Sequence, residues 1–190
     1  LGGYELPAHF ETIIVPPGMR QTKPRALNYA LQFARGSLLT IYDAEDIPEP
    51  NQLRAAARKF SGGQGNLACL QAKLAFFNSD ENWLTQQFTA EYATLFGLIL
   101  PALARYGLPL PLGGTSNHFR TDVLLKVGGW DPYNMTEDAD LGLRLARAGY
   151  RTGVLESLTY EDASAQYPNW LRQRARWLKG FMQTWLVHMR

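Results

Sequence analysis

At 190 residues the chain is long enough to bury one good core, so a single domain over residues 1–190 is expected. Apolar residues make up 46% and charged residues 19%, an ordinary soluble composition, and the net charge of +2 is too small to build a nucleic-acid footprint. One cysteine, Cys69, excludes an internal disulfide framework; beside Leu67, Ala68 and Leu70 it reads as a small core residue.

Residues 1–20 show neither a basic start nor a long apolar run, and no stretch of about 20 apolar residues is uninterrupted. In chain order, TIIV (12–15) reads as a short buried strand and PPGMRQT as a loop. Pro24 suits a first helical turn, and Ala26, Leu27, Ala30, Leu31 and Ala34 recur at helical spacing up to a stop at Gly36. Leu38 to Tyr42 is the next strand. Strand, helix, strand predicts a βαβ unit with parallel neighbours and a right-handed crossover.

In open α/β sheets ligands bind beyond the carboxyl ends of strands. Asp43 stands at one such end and the loop with Arg20 and Lys23 at another, so acids and bases are expected to face one crevice. Further along, 51–60 reads as a helix, SGGQGN as a turn, and LACLQAKLAF as a central strand. Residues 83–106 form a long, mostly apolar helical region, buried or interfacial, and GGTSNHFR crosses back through the sheet. Thr121 or Asp122 is expected to cap a short helix ending at Gly128-Gly129. TEDADLGLRLARAGY is a helix stopped by Gly149, TGVLES a strand, and Pro168 opens a last helix toward Arg190.

Four constellations carry chemistry. Asp43, Glu45 and Asp46 repel one another unless a cation neutralises them, and hard oxygen ligands suit Mg²⁺ or Mn²⁺; the plainer reading is a solvated turn. Glu137, Asp138 and Asp140 follow Thr136 at a helix start, where acids complement the macrodipole by ~0.3–1 kcal/mol each. That role does not require Glu137 and Asp138 side by side, and a carboxylate held ionised there would make a general base. In QRARW, Gln173, Arg176 and Trp177 share a helix face, either packing or forming a carbohydrate and phosphate platform. Lys23 and Arg25 open a helix where an anion could be met, or are solvated loop charge. His9, His118 and His188 show no metal-ligand spacing, and there is no nucleophile elbow, P-loop or Gly-x-Gly-x-x-Gly.

DAED, then TED, then QRARW, in this order, resemble the inverting glycosyltransferases of family 2, most of all the membrane-embedded cellulose-synthase-like branch with its Asp-x-Asp, Thr-Glu-Asp and Gln-x-x-Arg-Trp motifs. KPRALN resembles that family's Lys-x-x-x-x-Asn segment, and PLGGTSNHFR its strand before the acceptor helix. The resemblance implies a GT-A fold: α/β, with a mixed, mainly parallel sheet between helices, here lacking the first nucleotide-binding strands. It implies that Asp43 with Glu45 or Asp46 holds Mg²⁺ or Mn²⁺ on a nucleotide-sugar diphosphate, and that Lys23 and Arg176 meet that diphosphate. Asp138 would be the base, Glu137 would help orient the acceptor hydroxyl, and Gln173 and Trp177 would bind a glycan acceptor. Transfer of glucose from UDP-glucose to a β-glycan is the implied reaction. The implied setting is the cytoplasmic domain of an integral membrane protein, excised from its flanking membrane helices. The family's second aspartate is replaced by Glu45. Two rivals use fewer of these residues: a metal-dependent phosphoryl or hydrolytic enzyme leaves QRARW idle, and a nucleotide-sugar or glycan-binding pseudoenzyme has no use for Asp138.

Overall fold

A computed structural model describes residues 7–18, 21–62 and 65–189. Arg20 lies outside them. The elements are α1 (Lys23–Leu31), β1 (Leu38–Ile41), β2 (Ile47–Pro48), α2 (Gln52–Ser61) and β3 (Leu67–Phe76). Next come α3 (Trp83–Thr94), a π-helical turn (Leu95–Ile99) and α4 (Leu100–Arg105). Then follow β4 (Asn117–Arg120), α5 (Thr121–Lys126), α6 (Glu137–Arg147), β5 (Arg151–Glu161) and α7 (Tyr167–His188).

The five strands form one mixed sheet in the order β1-β4-β3-β5-β2. The apolar run of β3 puts it in the centre, as its sequence predicts, with side chains buried on both faces. Leu70 and Ala72 meet Ala56 of α2 and Leu155 of β5 on one face. The larger cluster lies on the other, where Cys69, Leu74 and Phe119 join Leu124, Leu141 and Leu145 of α5 and α6. Helices therefore flank the sheet, as expected.

Two expectations fail. Only β3 and β5 pair in parallel; β1–β4, β3–β4 and β2–β5 are antiparallel, so the sheet is mixed without a parallel majority. β4 causes this by entering between β1 and β3 against both. The strand expected at 12–15 does not form, and the βαβ unit fails with it: Pro16 and Pro17 close the run after four residues, and Ile14 is 83% exposed. Neither Thr121 nor Asp122 caps α5; Arg120 holds the cap position without a side-chain bond.

Asn28 of α1 grips the backbone of Trp130, donating from Nδ2 to its carbonyl (2.6 Å) and accepting its N–H (2.9 Å). Gly129 has φ +65°, and a Cβ there would sit 2.3 Å from Asn28 Oδ1, so only glycine fits this close approach. This contact carries the N-terminal helix to the loop that leads into α6.

Candidate active site

One cavity of about 750 Å³ is lined by nine of the side chains singled out from the sequence, Lys23, Asp43, Glu45, Asp46, Glu137, Asp138, Gln173, Arg176 and Trp177, while Arg25 and Asp140 stay outside it. They come from the start of α1, the turn after β1, the first turn of α6 and the middle of α7. The sheet brings the first three regions together, because the end of β1 faces the start of β4 and residues 113–115 run between the acids.

At this end the contacts are specific. Lys23 Nζ pairs with Asp43 Oδ1 and donates to the Gly114 carbonyl (2.8 Å). Asp46 folds back so that its Oδ2 accepts from the Asp43 N–H (2.8 Å) and from the Thr115 hydroxyl. Burial raises the Asp46 carboxyl despite those two bonds, and the charges of Asp43 and Glu45 push the same way. Its Oδ1 is buried with no hydrogen-bond partner. Arg25 does not line the cavity; it donates to the Pro16 carbonyl (2.6 Å).

Across the cavity Gly114 lies against the Asp138 carboxylate: a Cβ on it would be 3.4 Å from Oδ2. Enclosure by protein pushes Asp138 up to about 7, with the Glu137 charge second, while backbone N–H groups of the helix start pull it down. Glu137 is also raised, again first by burial, with Lys23 and Arg176 opposing. The dipole expected to keep Asp138 fully ionised is thus outweighed by burial and a like charge.

On α7, Arg174 rather than Arg176 is the anchored guanidinium. It lies over the rings of Phe88 (4.5 Å), Trp177 (5.0 Å) and Trp170 (5.4 Å), and both its terminal nitrogens donate to Glu91. Trp177 also stands edge-on to Phe88 at 6.0 Å, so it packs and lines the cavity at once. Arg176 is exposed and makes no ion pair among the described residues. Gln173 Oε1 is buried without a partner, as is Thr22 Oγ1, and both residues line the cavity.

The sequence reading missed Glu161, the last residue of β5, which also lines the cavity. Burial and the charges of Asp46 and Asp43 push it up to about 8. The missed signal was a repeated pattern: TGVLESLTYED, like SLLTIYDAED, is an apolar strand ending in acids.

A divalent cation suits this end, because Asp46 Oδ1 lacks a partner and the surrounding acids repel one another. No three His, Cys, Asp or Glu among the described residues converge tightly enough to enclose a metal by themselves. A cation at this end would need further ligands from outside these side chains.

The family model described as glycosyl transferase family group 2 matches residues 38–190. The chain belongs to that family. At 24% identity over 169 residues this family 2 chain is similar to "Probable glycosyltransferase YdaM" of Bacillus subtilis, across 88% of the chain and 40% of that protein. At 30% identity over 166 residues it is similar to the UDP-forming cellulose synthase catalytic subunit of Pseudomonas fluorescens, across 83% of the chain and 22% of that protein. The chain thus spans less than half of either relative. Among solved structures it is similar in fold to the mannosyltransferase PcManGT of Pyrobaculum calidifontis, in complex with GDP-Man and Mn²⁺. The TM-score is 0.65 at 20% identity, over 86% of this chain and 44% of that one. The fold is GT-A-like, and the family makes the chain a glycosyltransferase domain.

Proposed function

We propose that this family 2 domain is the catalytic core of a metal-dependent inverting glycosyltransferase of the cellulose-synthase-like branch. It moves glucose from UDP-glucose to a growing β-glycan, in the cytoplasmic part of a membrane protein. The observation that carries this reading is the single cavity holding both halves of a displacement: acids and Lys23 on one side, and Asp138 with the α7 side chains on the other.

In this mechanism Asp138 takes the proton of an acceptor hydroxyl as its oxygen attacks the anomeric carbon. The carbon–oxygen bond to the diphosphate breaks and the nucleoside diphosphate leaves from the opposite face, which inverts the configuration. Asp43 and Asp46 would hold the divalent cation, which when bound neutralises charge on the leaving diphosphate. Asp46 is favoured over Glu45 as second ligand because its Oδ1 is buried and unpaired, whereas Glu45 is exposed. Arg176, exposed and lining the cavity, would meet the diphosphate. Gln173 Oε1 supplies an unused acceptor for a sugar hydroxyl beside the Trp177 ring.

The test is calorimetry of the full-length protein with UDP, UDP-glucose and GDP-mannose, with and without Mn²⁺. Binding of the uridine nucleotides should require the metal and be lost in Asp43→Asn and Asp46→Asn. Equal, metal-independent affinity in both variants would refute the cation site, and preference for GDP-mannose would replace glucose by mannose.

A further inference from the structure

Thr136, the first residue of the TED motif, holds the N-terminal cap position of α6, yet its side chain caps nothing. It faces α7 instead. A Cβ on Gly180 would lie 2.6 Å from Thr136 Cγ2, 2.7 Å from its Oγ1 and 2.8 Å from its backbone N, so α7 touches α6 here with no room for a side chain. One turn on, Thr184 Oγ1 accepts from Asn134 Nδ2 (2.8 Å) and lies 3.4 Å from Thr136 Oγ1. Asn134 Oδ1 in turn accepts the Thr136 N–H (3.0 Å). Another turn on, His188 Nε2 and Asp140 Oδ1 are bonded at 2.8 Å. Asn134, Thr136, Asp140 and Thr184 are all buried.

Gln173, Trp177, Gly180 and Thr184 lie at i, i+4, i+7 and i+11, which is one face of a helix. One half of that stripe lines the cavity, and the other is bolted to the residues immediately before Asp138. We propose that Thr184, seated on Asn134 and Thr136, is a positioning residue that fixes how far Gln173 and Trp177 stand from Asp138. This rests on the glycosyltransferase reading above. Apart from Arg176 the proposed donor contacts come from α1 and the turn after β1, so the lock acts chiefly on the acceptor side.

The experiment compares Thr184→Val, which keeps the shape and removes the hydroxyl, with Thr184→Ser, which keeps the hydroxyl. In the full-length protein, transfer to glycan and hydrolysis of the donor are measured together. Thr184→Val should lower the transfer-to-hydrolysis ratio about 10- to 100-fold and raise the acceptor KM, the scale of loss expected for small misplacement of reacting groups. Donor affinity, which depends on α7 through Arg176 alone, should fall far less, and Thr184→Ser should behave as wild type. An unchanged ratio and acceptor KM in Thr184→Val overturns the proposal, as does parallel loss of donor affinity and both rates. A second arm needs no activity. Spin labels at Asp122→Cys on α5 and Lys179→Cys on α7 report the helix position, since Cys69 is fully buried. The distance should lengthen or broaden with Thr184→Val and not with Thr184→Ser; no change there also refutes the lock. A wild-type protein that neither transfers nor hydrolyses any nucleotide sugar would instead sink the glycosyltransferase reading, with the label distances still deciding the docking.

Discussion

At Asp138 three effects compete, and magnitude decides among them. A helix start contributes a few tenths to one kcal/mol toward the anion, while enclosure and the Glu137 charge outweigh it and bring the group to about 7. Its unfolded value is near 4. Between the two, the native chain holds a proton that the unfolded chain has lost. Stability from this residue is therefore highest below about pH 4 and is lost as pH rises through 7. Asp138→Asn removes that penalty, so its melting temperature should exceed the wild type's by a few degrees at pH 8, with the gap closing toward pH 4. Turnover should move the other way. Wild-type transfer should climb through about pH 7, and the variant should stay roughly 10²–10⁴-fold lower at pH 8. Scanning fluorimetry and transfer assays over the same pH series check both halves; a variant that melts below wild type at pH 8, or transfers at its rate, contradicts the assignment. Asp140 is not a neutral control for this experiment. It is buried and bonded to Arg144 (2.7 Å) and His188, so exposed Asp122 serves better.

Along its 22 residues α7 buries only Gly180 and Thr184. Leu171, Leu178, Phe181, Met182, Trp185 and Leu186 are exposed at spacings that make a continuous apolar stripe, with Arg172, Arg176 and Lys179 also on the helix. No helix among the described residues is long and apolar enough to cross a membrane. An apolar stripe with cationic neighbours instead suits a helix lying in a lipid interface. The protein should sediment with anionic vesicles, and Trp185→Glu with Leu186→Glu should reduce that several-fold; equal sedimentation of the double variant would exclude α7 as the contact. The central run of β3 and the acids of α6 were readable from the sequence, because helix and strand periods are local signals. The direction of β4 was not, since it depends on which distant strands it joins. Glu161 was missed despite its strand-then-acids pattern, because β5 is carried past TGVLES by distant partners: Leu158, Thr159 and Tyr160 pair with β3, and the last two also with β2. The further contacts of Thr136 and Asp140 were hidden for a related reason: each has an ordinary place at a helix start, and only the docked α7 shows another role.

On the scale of the whole molecule, residues from Thr22 to Phe181 line one cavity, so nearly the entire chain must close before any site exists. The sheet adds a kinetic condition. Its longest pairing joins β3 to β5 in parallel, and Leu67 faces Arg151, some eighty residues away. Closing so long a loop costs entropy before the contacts repay it, which makes such pairings slow steps in folding. The central strand then waits, half uncovered, for a partner made near the end of the chain. A chain stopped at Tyr150 would hold Asp43, Glu137, Asp138 and every helix through α6, and still lack that partner. It should show no cooperative melting transition by circular dichroism, whereas the chain through residue 190 should; a sharp melt of the shorter piece would mean the first six helices fold without β5. During synthesis, the catalytic acids would remain unassembled until the last strand and helix arrive.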